Sequence, residues 1–224
     1  MNHIILMIKK EWDGFRASDI GSFAVYGILV LAWSALIAGN LTEFGAQTSA
    51  LWLVFLSVIV SGNFAATVFV AERMTGSLEV LLTSGISRPA ILAGKIAYIV
   101  IMSLALGTLC YLLALVWAVF GGTSLARIAG TIPIVNHAFL FGSACYMNAS
   151  SGAWLSMHLS NPRLSNFANL LVLALVISVH AALAELFNLP LWVLPSTLLV
   201  IGLIFQIAAT RAFKSERVIQ PLSL

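Results

Sequence analysis

Charge is scarce in this chain. Eight Asp and Glu and eleven Lys and Arg are spread over 224 residues, about a third of the share an ordinary globular domain carries. So few charges cannot cover a water-facing surface, and a mean hydropathy of +1.04 calls for a bilayer as the outer solvent. Cysteine is nearly absent too: Cys110 and Cys145 have no CxxC spacing, which excludes a metal or redox framework and leaves two buried thiols. No GxxxxGK[ST] loop is present, because Gly94-Lys95 continues into Ile96 with no strand before it. No cofactor is expected on this chain, and no catalytic residues. No Lys/Arg run points to nucleic acid, so the pI of about 9.1 reflects loops facing anionic lipid.

What remains is an all-α membrane protein of one domain over residues 1–224. A charge at the bilayer centre costs roughly 3 kcal/mol, so charges punctuate the spans. Six uncharged intervals follow: Asp19 to Glu43, Glu43 to Glu72, Lys95 to Arg127, Arg127 to Arg163, Arg163 to Glu185, and Glu185 to Arg211. Each is long enough for the ~20 residues of a crossing helix. Lys9, Lys10, Arg16, Arg73, Arg88, Lys95, Arg163, Arg211, Lys214 and Arg217 then fall on one side and only Arg127 on the other. Both termini, including a tail over 212–224, are expected in the cytoplasm.

Residues 1–17 do not read as a secretory signal, because the apolar stretch precedes the basic pair and is short. Ile5, Ile8, Trp12 and Phe15 recur at helical spacing opposite Lys9, Asp13 and Arg16, which predicts a helix lying in the headgroup plane.

The most polar passage is ERMTGSLEVLLTSGISRPAILAGK, residues 72–95, between the second and third spans. Gly76 and Gly85 bracket a stretch from Ser77 to Ser84 that fits two helical turns, with Gly85 as a left-handed terminator. Ser87 and Pro89 read as the N-cap and first turn of the next helix. Leu78, Leu81 and Leu82 share one face of the short helix, to be covered by the bundle's own end, by headgroups or by a partner.

This passage resembles the signature of type-2 ABC-transporter permeases, E-R-x-x-G-(T/S)-L-E-x-L-L followed by S-R-x-x-I-L-x-G-K. Glu72, Arg73, Gly76, Ser77, Leu78, Glu79, Leu81, Leu82, Ser87, Arg88, Ile91, Leu92, Gly94 and Lys95 match, and Gly85 stands where Pro is usual. MIKKEWDGFRAS is similar to the family's N-terminal amphipathic helix, and ATRAFKSERV to its last-span exit. The resemblance implies an inner-membrane exporter subunit whose coupling helix docks on a separate ATPase. ATP and Mg would sit on two copies of that ATPase, and a second permease copy or paralogue would pair through the first and fifth spans. It also implies Glu72, Arg73, Gly76, Ser77, Leu78, Glu79, Leu81, Leu82 and Arg88 as the ATPase interface, and short re-entrant helices around Pro190 and Pro195, where a plain Pro-containing outer loop is the alternative.

Asn63, Asn148 and Gln206 are polar side chains within spans and should face other helices or a substrate path. His137 and His180 are expected near the outer surface as water-satisfied imidazoles, and His158 near the inner one. Ala149, Ser150, Ser151, Gly152 and Ala153 fit close helix packing. An intramembrane hydrolase pairing such a serine with His180 is an alternative, as is a membrane anchor recruiting a cytosolic protein through Leu78 to Leu82.

Overall fold

The computed structural model describes residues 3–17, 20–43, 46–72, 77–83, 85–124, 134–159 and 161–213. Among these, every regular element is helical: α1 (His3–Arg16), α2 (Ile20–Glu43), α3 (Ala46–Ala65), a π turn (Ala66–Ala71), α4 (Ser77–Thr83), α5 (Arg88–Phe120), α6 (Ile134–His158), α7 (Pro162–Phe187) and α8 (Val193–Phe213). Each of the six uncharged intervals holds one long helix. Four helical stretches, Trp52–Val70, α5, α7 and α8, are long and apolar enough to cross a bilayer among the described residues.

Helix α6 lies at the centre, packed against α3, α5, α7 and α8. Its small residues permit this. A Cβ on Gly152 would stand 2.8 Å from the Ala65 Cβ of α3, while a Cβ on Gly202 of α8 would meet the Tyr146 ring at 2.7 Å. Dispersion and short interhelical hydrogen bonds hold helices together where hydrophobic burial gives no net drive.

The chain's charged segments gather at one end of the bundle. Met7 of α1, Ile91 of α5 and Phe213 of α8 form one buried cluster, with Leu81 of α4, Ile86 and Met157 of α6 packed on it.

The other end corrects one expectation. Asn188 caps α7 in the left-handed region at φ 48°, and α8 begins at Val193. Pro195 lies in the first turn of α8, where a missing N–H costs nothing. Residues 188–192 are therefore a plain connection, too short for re-entrant helices.

Candidate functional site

The site at the charged end is built around Lys95. This side chain has no exposed surface. Its ammonium donates to Glu72 Oε2 at 2.5 Å, to Glu11 Oε1 at 2.8 Å and to the Val68 carbonyl at 3.1 Å. All three of its N–H donors are thus used, which is the condition for a charge to remain buried. The Phe69 ring centroid lies 5.6 Å away and adds a cation–π contact.

Lys10 completes the group by bonding Glu72 Oε1, and Glu11 Oε1 at 3.1 Å. Burial by itself lowers the Lys10 ammonium's pKa. The Glu72 hydrogen bond and the charges of Glu11 and Glu72 outweigh that and leave it raised. Two cations and two carboxylates make the node neutral. It ties α1 to the end of α3 and the first turns of α5.

Two backbone features make the node geometrically reachable. The π turn over Ala66–Ala71 shifts the register by roughly 100° and re-aims Glu72 toward α5. Gly94 lets α1 lie against α5, since a Cβ there would stand 2.6 Å from the Met7 Cβ and 3.2 Å from the Ile4 carbonyl oxygen. Met7 is consequently wholly buried, while Ile5 and Trp12 face outward. The apolar face of α1 is thus split between the bundle and its surroundings.

The short helix forms over Ser77–Thr83, and Gly85 takes φ +76° as its terminator. Ser87 occupies the N-cap position of α5, yet its side chain makes no cap bond; its carbonyl accepts from Ala90 and Ile91 instead. Leu81 faces inward onto Met7, Ile91 and Phe213. Val80 faces outward, 70% exposed. Ser77 Oγ reaches back to the Glu72 carbonyl at 3.4 Å. Arg88 is half-buried at the start of α5. Arg73 and Gly76 lie outside the described residues, as do the side chains of Leu78, Glu79 and Leu82.

The Glu72 carboxylate, which the family resemblance implies at the ATPase interface, bonds Lys95 and Lys10 within the chain. Glu11, Lys10 and Lys95 went unassigned as site residues. The signal for them was present: a Glu and a Lys inside apolar helices need partners of opposite sign.

The three polar residues of the spans each make an interhelical bond. Asn148 donates to Ser57 at 2.8 Å, Asn166 donates to Asn63 at 3.3 Å, and Tyr146 bonds Gln206. Asn169 bonds Ser151 and donates to the Asn148 carbonyl at 3.2 Å. Ser151 is therefore held by Asn169, while His180 lies eleven positions further along α7, roughly 16 Å at 1.5 Å per residue. The serine and histidine of the hydrolase alternative are not brought together there. His137 is buried beside Tyr111 and Phe141 rather than water-exposed, His180 lines a groove between α7 and α8, and His158 packs on Trp154.

The family described as ABC-2 family transporter protein matches residues 7–180 of the chain. That span takes in most of α1, the charge node, the short helix and the central α6. No curated protein matches the sequence. The chain belongs to the ABC-2 transporter family and is a multi-pass membrane transport component of it.

Proposed function

We propose that this ABC-2 family member is the permease subunit of an exporter in the cytoplasmic membrane, with six spans and both termini inside. Its transport is driven by a separate ATPase that carries ATP and Mg, two copies per assembly. The observation that carries the reading is the family match over 7–180, together with a short helix presenting Val80 at the charged end of the bundle. The side chain of Val80 and its neighbours is the surface on which the ATPase docks. Force on α4 passes through Leu81 to the Met7, Ile91 and Phe213 cluster, and through Glu72 to Lys95 at the root of α5. Arg73, Gly76, Leu78, Glu79, Leu82 and Arg88 belong to the same docking segment.

A second permease completes the path. Helices α2 and α7, the first and fifth spans, leave Val25, Ile28, Leu31, Phe167, Leu171 and Leu175 exposed, and exposure of those two helices supports pairing through them.

Cross-linking tests the reading. Val80→Cys in sealed vesicles is expected to cross-link to the ATPase and to react only with reagents on the cytoplasmic side. Labelling only from the opposite side would overturn the topology and the coupling role together.

A further inference from the structure

We propose that the cavity between α1 and the adjoining ends of α2, α3 and α5 binds the ammonium head of a membrane amphiphile. The cavity has a volume of about 260 Å³. Its wall holds two carboxylates, Glu11 and Glu72, and four aromatic rings, Phe15, Tyr26, Phe64 and Tyr98.

The sign of the ligand follows from what lines the wall. Among the described residues no Lys or Arg lines it; Lys95 is fully buried with its three N–H bonds already spent, and Lys10 is held by Glu11 Oε1 and Glu72 Oε1. An anion would meet carboxylate oxygens and ring electrons, with both nearby ammoniums already engaged. A cation meets the reverse. Glu11 takes both of its lysine bonds on Oε1, so Oε2 receives none from either lysine.

The rings form a connected cluster suited to a bulky cation. Tyr26 stacks on Phe64 at 5.2 Å, Phe15 meets Tyr26 and Phe64 edge-on at 5.9 and 5.8 Å, and Tyr98 meets Phe64 edge-on at 6.1 Å. Clustered ring faces attract ammonium groups, quaternary ones included, that cannot be held by hydrogen bonds alone. Tyr98 is only 3% exposed, it lines the cavity, and its hydroxyl donates no hydrogen bond among the described residues. It offers an unspent polar atom at the wall.

An amphiphile fits better than a free cation because of where the cavity lies. It sits beneath the half-exposed amphipathic α1, next to Phe23 of α2, which is exposed and meets the cavity's Phe15 at 4.9 Å. A head in the cavity leaves its chain against that hydrocarbon surface.

The test is calorimetric titration of the purified full chain in maltoside micelles with dodecyltrimethylammonium below its own micelle concentration. Saturable binding at one per chain is expected, with no competition from dodecyl sulfate. Gly14 lines the cavity, and a Cβ added to it meets nothing within 4 Å. Gly14→Phe should therefore narrow the site and weaken binding at least tenfold. The pair Phe15→Leu/Tyr26→Leu should do the same, while Trp117→Leu on a distant exposed turn should change nothing. Equal binding of dodecyl sulfate, or unchanged affinity in Gly14→Phe, would overturn the proposal. Displacement by tetramethylammonium at equal concentration would overturn the amphiphile in favour of a free organic cation. Binding is read without transport, so failure here leaves the permease reading untouched.

Discussion

Lys95 Nζ lies 2.5 Å from Glu72 Oε2, joining two residues 23 positions apart across the foot of α5 and the end of α3. Glu11 brings α1 to the same ammonium at 2.8 Å. Removing the cation leaves two carboxylates sharing Lys10 alone in a place of little water. Lys95→Met should therefore destabilise the chain by about 3–5 kcal/mol, the cost of breaking a buried pair. The loss should be read as a lower midpoint in detergent-titration unfolding. Adding Glu72→Gln to Lys95→Met is expected to recover part of it, and strict additivity of the two losses would contradict a shared node.

Gly94 sets how closely α1 approaches α5. Gly94→Ala places a methyl 2.6 Å from the Met7 Cβ, so α1 must shift outward at a cost of about 1–3 kcal/mol. Limited proteolysis should then cut near residues 10–17 faster than in the parent. Met7→Ala in the same chain gives less relief, because the clash is with Cβ and alanine retains it.

Val80 and Leu81 are neighbours with opposite roles. Val80→Asp should lower affinity for the ATPase about a hundredfold, close to 2.8 kcal/mol, with the melting temperature unchanged. Leu81→Asp should lower the melting temperature itself, since that side chain packs on Met7, Ile91 and Phe213. Pull-down and melting curves measured on both variants separate docking from folding; a normal melt for Leu81→Asp would remove its inward assignment.

Asn169 links α7 to α6 through Ser151 and the Asn148 carbonyl. Asn169→Leu removes both interhelical bonds, though Ser151 keeps the Met147 carbonyl, and a loss of about 1 kcal/mol is expected, in the range of interhelical hydrogen bonds within membranes. Ser57→Ala tests the α3 to α6 bond to Asn148 in the same way, with a similar or smaller effect. Unfolding in mixed micelles measures each.

The sequence by itself determined the solvent, the helices and the grouping of charges. Apolar intervals between Asp19, Glu43, Glu72, Lys95, Arg127, Arg163, Glu185 and Arg211 had to be helical, because a backbone in hydrocarbon must satisfy its own N–H and C=O groups locally. Small residues such as Gly152 marked close packing because their lack of bulk is a local property. Gly85 as a left-handed terminator was legible for the same reason, since a backbone angle belongs to one residue.

Tertiary structure alone decided which way each side chain of the charged end points. Glu72 and Leu81 lie in a passage whose sequence leaves open whether the bundle's own end, headgroups or a partner covers it, and both turn inward. The partners that draw them, Lys95 and Lys10 for Glu72 and Met7 for Leu81, come from other helices. A π turn before Glu72 re-aims it by roughly 100°, and helical periodicity carries no sign of that extra residue. The aromatic cavity has the same origin: Phe15, Tyr26, Phe64 and Tyr98 come from four different helices, and the close approach of α1 to α5 at Gly94 brings Phe15 and Glu11 to the other three.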